Sequence, residues 1–423
     1  MEMNDMIMVS IDDHLIEPED TFKYFPESLK DQAPKIVRHP DNPNLEVWSF
    51  QGDVVGTHGL SAVMGLPKHE WGMDPTSLSE MRPGTYDWDQ RINDMNANGN
   101  LSQMIFPTFA GFAGSHLARL PDQKLVLAAI KAYNDYYVGD ICNRYPGRFI
   151  PMGVLPTFNI EEAAKEVHRL SALGCRSITL PETPYGVGLP SYASGYWDPV
   201  LQAMSDTHMI ASLHIGGGFS LLQRPDTARM DDMIVLASAV STICANDMIL
   251  GGVIKKFPDL KVAMSEGGVG WVSFLLDRIE RHLENQTWTG LDCLPAGKTA
   301  TEVWKSNFLA CYITEPSALD SRNRIGVETI AWECDYPHSD STWPTSPERF
   351  HKEITAAGCT DAEINMISHE NTIRFFGWDP FKSIDKKDAT VGALRKLAVN
   401  HDTTPKPKAE YQRIFRAKEA ANA

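Results

Sequence analysis

Nowhere in its 423 residues does this chain run about 18 apolar residues without a break, so no segment reads as a membrane span. The opening MEMNDMIMVS carries acidic residues and no long apolar stretch, which is not the pattern of a signal peptide. Paired cysteines are missing too. The seven cysteines are scattered without a CxxC, an odd set that reads as reduced core thiols and not as a disulfide frame or zinc finger. The cytoplasm is therefore the expected compartment. Positive charge is in deficit: 39 Lys and Arg against 55 Asp and Glu leave a net charge of −16, the wrong sign for a nucleic-acid surface. No Gly-x-Gly-x-x-Gly follows the first strand-like run and no Gly-Lys-Ser/Thr loop occurs, so dinucleotide and P-loop readings have no support.

What is present is 43% hydrophobic and 22% charged residues, the balance of a globular protein with a large core. Apolar, strand-like runs stand at residues 7–11, 101–106, 149–155, 175–180, 209–213, 260–264, 308–313 and 327–332. Helical spacing falls at 87–99, 121–144, 160–173, 197–205, 230–256, 271–284, 346–357 and 361–376. Asp87 is placed to cap the first of these helices and Gly99 to stop it. Eight strands separated by helices predict an α/β fold, a (β/α)8 TIM barrel; a doubly wound open sheet is the other arrangement of such alternation. The barrel is expected over 1–380, with an insertion after strand one at 40–85, rich in Pro, Gly and Trp. That insertion is expected to fold over one face, as a lid bringing His58, His69 and Trp71 near a substrate, or else to pack on a partner subunit. Residues 381–423 form a charged C-terminal arm, expected to cross a neighbouring subunit or to be mobile. Arm and insertion together make a homodimer or homotetramer the expected assembly.

In a barrel, chemistry gathers where strands end. Strand one runs into Asp12 and His14, two apart and so on one side of the chain. Strand four reaches Glu182, and strand five reaches His214 ahead of Gly216-Gly217-Gly218. Strand six reaches Glu266, strand seven Thr314-Glu315, and strand eight Asp335, followed by Tyr336, Pro337 and His338. Taken singly, each has an ordinary role. Asp12 or Asp13 could cap a turn, His214 could sit in a core turn, Glu266 could pair with Arg278 or Arg281, and Asp335 could cap the loop after it. Taken together, Asp12, His14, His214 and Asp335 make a donor set for one divalent metal, zinc or manganese, with a position left for water or a substrate oxygen. A carboxylate in a barrel mouth is costly unless it meets a cation or a donor. Trp48, Trp71, Tyr86, Phe106, Phe109, Phe112 and Trp343 suggest an apolar, ring-shaped ligand, or ordinary core packing.

The order SIDDHLIEP, RFIPMGVLP, SLHIGGG, LKVAMSEGGVGW and WECDYPHSDSTWP resembles the amidohydrolase-related metal-dependent hydrolases of the aminocarboxymuconate semialdehyde decarboxylase type. The likeness runs from about residue 8 to 380, with 40–85 unmatched, and closes on HENTIRFFGWD, where Asn371 stands at the family's usual asparagine. The resemblance implies a TIM barrel in which Asp12 and His14 are the first-strand metal ligands, where many relatives have His-x-His or Glu-x-His. It implies that His214 is the fifth-strand ligand and Asp335 the eighth-strand acid that binds metal and handles a proton. Glu266 stands where many relatives place a histidine. No lysine stands at the end of strand four, so a carboxylated-lysine dinuclear centre is not expected. The expected activity is hydrolysis of a C–N, C–O or activated C–C bond of a small organic acid or amide, aromatic or cyclic, by metal-activated water. Asp335 would act as base, with Glu266 and His338 orienting or shuttling protons. Non-oxidative decarboxylation of a hydroxylated aromatic acid is the alternative on the same scaffold. A metal-free binding subunit is the alternative of another class.

Overall fold

In the computed structural model, which describes all residues except 58, 60, 74, 217–224, 228 and 423, every strand-like run of the barrel is buried on both faces. Continuous apolar runs, unlike alternating ones, suit a parallel sheet covered by helices. The barrel strands are β1 (Val9–Leu15), β2 (Ser102–Pro107), β3 (Phe149–Ile150 and Met152–Val154, parted at Pro151), β4 (Ser177–Pro181), β5 (Ile210–His214), β6 (Lys261–Ser265), β7 (Phe308–Tyr312) and β8 (Ile330–Trp332). All are parallel, each paired with the next from β1 to β8. The break in β3 follows from Pro151, which has no N–H for the ladder. The ring closes just beyond β8: Asp335 N–H donates to Asp12 O at 2.8 Å and His14 N–H to Tyr336 O at 2.8 Å. The expected eight-stranded barrel is the fold.

The helices on the outside are α1 (Trp88–Asn98), α2 (Gln123–Asn134), α3 (Ile160–Ala172), α4 (Asp198–Thr207), α5 (Ala237–Leu250), α6 (Trp271–Asn285), α7 (Ala300–Asn307) and α8 (Ser346–Ala356). Asp87 caps α1 by accepting from Gln90 N–H, and Gly99, at φ 78°, ends it. The single helix expected over 230–256 is three: Met230–Val235, α5 and Val253–Lys256. The last break falls at Gly252, whose φ of 72° no helix can carry. The helix expected over 121–144 keeps its path but widens to i→i+5 turns over Asp135–Ile141.

The insertion forms an antiparallel three-stranded sheet, Lys35–His39, Asn42–Phe50 and Asp53–Thr57. It is pinned by buried Trp48, whose ring lies against Phe22 and Phe109 at 5.5 and 4.8 Å. The arm packs against its own chain. Its last helix, Lys408–Asn422, packs on the insertion, with Tyr411 buried and its hydroxyl donating to Gly65 O at 2.9 Å. Buried Val391, Leu394 and Tyr411, with backbone hydrogen bonds, anchor this charged segment against mobility. Among the described residues no helix is long and apolar enough to cross a membrane.

Candidate metal centre

β1 delivers two donors because its pairing with β2 slips between Ser10 and Asp13. Such a bulge re-aims side chains next to sites. Asp12 and His14 turn into the barrel mouth, while Asp13 turns away, accepting from Gln103 Nε2 at 2.7 Å and Tyr336 N–H at 3.1 Å. His214 arrives from the end of β5. Its Nδ1 lies 2.6 Å from Ile215 O. A carbonyl only accepts, so Nδ1 carries a proton and Nε2 is the nitrogen that faces the mouth. Asp335 and Glu266 follow β8 and β6 at φ 53° and 59°. Left-handed backbone is uncommon for residues with a Cβ and collects at functional sites.

The donors meet in two overlapping sets that share His14: Asp12, His14 and His214, and His14, Asp335 and His338. His14 Nε2 lies 3.4 Å from Asp12 Oδ1, 3.4 Å from Asp335 Oδ1 and 3.2 Å from His214 Nε2. His214 Nε2 lies 3.4 Å from Asp12 Oδ2 and 3.3 Å from Glu266 Oε2. Two ligands ~2.0–2.1 Å from a tetrahedral zinc lie roughly 3.3–3.4 Å apart, so these spacings are those of a coordination shell. His338 stacks on His14 with ring centroids 3.8 Å apart and brings Nδ1 to 2.9 Å from Asp335 Oδ1.

Asp12 and Asp335 are fully buried, yet neither oxygen of either receives a hydrogen bond of good geometry. A buried carboxylate left so is expensive unless a cation pairs it. Burial pushes the Asp12 carboxyl well above its ordinary range, and the Asp335 and Asp13 carboxylates push it further. Burial also raises Asp335, but the His338 and His14 rings outweigh it and hold Asp335 below the usual carboxylate range. Burial and the His338 ring drive His14 to its neutral form, the form that ligates. Glu266 is raised by burial and by Asp335, with His214 opposing. The residues fit a divalent metal: nitrogen and oxygen donors come together, and among the described residues no side-chain cation joins them.

Asp335, His338 and Glu266 line a cavity of about 670 Å³, walled by Ile215, Ile313 and Tyr312, with Arg349 the one cation lining it among the described residues. Ser61 and Met73 of the insertion reach its rim. Of the proposed lid residues, His69 is exposed and Trp71 donates to Leu66 O at 2.9 Å, and neither lines the cavity; His58 lies outside the described residues, as do Gly217 and Gly218. Trp48, Phe109 and Trp343 are core, and Phe106 lies against the His214 ring at 4.8 Å. Glu315 has a structural task, accepting from Val269 and Gly270 N–H at 2.8 Å each ahead of α6. Glu266 is 3.3 Å from His214, not on Arg278 or Arg281. One cavity residue escaped the sequence reading. Glu333 is buried, lines the cavity and accepts from Glu266 N–H at 3.0 Å and from the Cys311 thiol. Its position two residues before Asp335 was the available signal.

A protein-family model described as amidohydrolase matches residues 47–378, most of the chain but not β1, so Asp12 and His14 rest on their geometry alone. Among solved structures, the chain is similar to an amidohydrolase from Mycobacterium avium subsp. paratuberculosis, at 17% identity and a TM-score of 0.65 over 88% of this chain and 99% of that one. It is similar also to 5-carboxyvanillate decarboxylase from Novosphingobium aromaticivorans with bound manganese, at 18% identity and a TM-score of 0.60 over 88% and 97%. A third is 2,6-dihydroxybenzoate decarboxylase from Rhizobium, at 17% identity and a TM-score of 0.57 over 88% and 99%. At such identities the likeness carries the fold.

Proposed function

This chain belongs to the amidohydrolase family of enzymes, and we propose that it is a metal-dependent hydrolase cleaving a C–N, C–O or activated C–C bond of a small, uncharged, cyclic or aromatic substrate. Asp12, His14, His214 and Asp335 would hold one divalent ion, zinc or manganese. When bound, such an ion supplies Lewis acidity and a water of lowered pKa. Asp335 accepts the proton of the attacking water and returns it to the leaving group; His338, 2.9 Å away, keeps that carboxylate oriented. Glu266 stands on the cavity side of His214 as a second proton carrier.

The observation that carries this reading is the meeting of two imidazole nitrogens and buried carboxylate oxygens, 3.2–3.4 Å apart, beside a cavity that Asp335 lines. The same cavity favours an uncharged scissile group. Asp335, Glu266 and Glu333 line the cavity with Arg349 as the one described cation, so an aromatic carboxylate would have to approach three carboxyl groups. Decarboxylation of a hydroxylated aromatic acid is the second reading, favoured by the fold shared with two such enzymes. The deciding experiment strips the protein, reloads it with Zn²⁺ or Mn²⁺, and offers neutral esters, lactones and amides beside dihydroxybenzoates. Metal-restored hydrolysis is expected. Carbon dioxide from the acids would move the assignment to the second reading, and failure to bind metal stoichiometrically would leave only a binding subunit. A homodimer or homotetramer remains part of the proposal, and sedimentation of a monomer would remove it.

A further inference from the structure

Asp335 and His338 sit on a loop, not a strand, and their backbone is held from three directions. On the barrel side, Tyr336 donates its N–H to Asp13 and accepts from His14 N–H, with the Arg91 guanidinium 4.4 Å over its ring. On the insertion side, Val63 and Met64 N–H both donate to Pro337 O at 3.1 Å. On the third side, the Tyr336 hydroxyl donates to Asp94 Oδ2 at 2.6 Å.

Asp94 is the hub. It lies on α1, buried, and takes a forked pair of hydrogen bonds from Arg82 at 2.7–3.0 Å. Its other close neighbour comes from the arm: His401 Nε2 is 2.6 Å from Asp94 Oδ1 and 2.9 Å from Arg82 Nη2. Arg82 also donates to Asp402 O at 2.8 Å. The arm thus touches the residue that holds Tyr336. It backs the insertion as well, since Lys406 N–H and the Tyr411 hydroxyl both donate to Gly65 O at 2.9 Å, next to the segment that grips Pro337.

Two glycines show that this arrangement is built into the fold. A Cβ at Gly84 would stand 1.9 Å from Asp94 Oδ2, and one at Gly65 would stand 2.8 Å from both the Tyr411 hydroxyl and Arg82 Cδ. Both positions must be bare for the hub and the arm to close on them. A buried ion pair such as Arg82–Asp94 adds little net stability, because desolvation offsets its attraction; its value lies in fixing geometry.

We propose that the C-terminal arm is a strap that positions the candidate metal centre: through His401, Asp94 and the Tyr336 hydroxyl it fixes the loop carrying Asp335 and His338. His401, Asp94 and Tyr336 are positioning residues in this role, and the inference rests on Asp335 being a metal donor. Outer partners of metal ligands change metal affinity by about 10–100-fold, and a partner one residue removed from the ligand falls at the lower end.

The test uses full-length protein, stripped and titrated with Zn²⁺ against a chromogenic chelator, and separately loaded with Co²⁺ for its visible absorption. Tyr336→Phe and His401→Gln are expected to weaken Zn²⁺ binding about tenfold and to shift the Co²⁺ bands. Lys418→Ala, which breaks only the exposed arm contact to Asp87, is expected to change neither. A purely structural arm would lower the unfolding temperature of the first two variants while leaving Zn²⁺ affinity and the Co²⁺ spectrum at wild-type values, and that result overturns the proposal. If the wild-type protein itself fails to bind Zn²⁺ or Co²⁺, the metal-site assignment falls first, and the strap with it.

Discussion

Replacing Asp12 by Asn should stabilise the stripped protein and forfeit most of the stabilisation that metal gives wild type. In the fold Asp12 is fully buried, has no good hydrogen-bond donor, and faces Asp335 and Asp13, so its carboxyl is pushed well above its ordinary range. A carboxyl raised in the fold binds more protons folded than unfolded. Its cost therefore appears as pH rises past the unfolded value of ~3.9 and grows, by at most about 1.4 kcal/mol per pH unit, up to the folded value. Asparagine removes that cost at every pH. With an unfolding entropy of ~2.1 cal/mol/K per residue, this chain needs about 0.9 kcal/mol for each degree of Tm. The stripped Asn variant should then outlast stripped wild type by a margin that widens between pH 5 and 7, by up to roughly 3 °C. With metal present that advantage should shrink by about 4 kcal/mol, or about 4–5 °C, because a ligand bound at 1,000 times its Kd adds that much to wild type and the variant largely forfeits it. Scanning calorimetry over that pH range, with and without 1 mM of the ion, an amount on the order of 1,000-fold above a micromolar Kd, reads all four curves. A stripped variant less stable than stripped wild type, or a gap indifferent to pH, refutes the electrostatic account of the site.

Asp335→Asn in the metal-loaded enzyme should lower kcat by roughly 10²–10⁴, the range for losing a positioned general base, and steady-state hydrolysis of the substrate found by the neutral panel measures it. Glu266→Gln removes a negative charge from the cavity, so salicylate should inhibit the metal-loaded variant at about tenfold lower concentration than wild type; an unchanged inhibition constant would discount charge as the filter against aromatic acids. Asn371→Ala leaves the carbonyls of Val327 and Ile330 without the 2.7 and 2.8 Å hydrogen bonds that tie the last helical segment to β8. That loss should take about 2–4 kcal/mol from stability in chemical denaturation, with no change in metal stoichiometry.

His14 and His214 are made ready for a metal by different causes. In His214 a backbone carbonyl holds Nδ1 and leaves Nε2 facing the mouth, whereas in His14 burial and the adjacent His338 ring suppress protonation. Metal binding should accordingly weaken as acid protonates the donors, with protons released on loading near neutral pH.

The alternation of strand and helix, the eight-fold count and the placement of Asp12, His14, His214 and Asp335 at strand ends were legible in the chain, because side-chain periodicity and strand ends are local properties. Capping at Asp87 and the stop at Gly99 were legible for the same reason. The break at Gly252 was not, since the apolar spacing of 230–256 runs on across it. Nor was Glu333: its neighbours Cys311 and Glu266 come from β7 and the end of β6, contacts that exist only once the barrel closes. The arm is the clearest case. Its sequence is charged and thin in apolar residues, yet Tyr411, His401 and the backbone near Lys406 find partners 300 residues and more away, at Gly65, Arg82 and Asp94. The chain by itself determined which residues could serve a metal and which strand carries each. Tertiary structure alone decided how near one another they lie, that Asp335, Glu266 and Glu333 share one cavity, and that the chain's end packs beside the loop after β8, because distances between remote segments are set by packing and not by spacing.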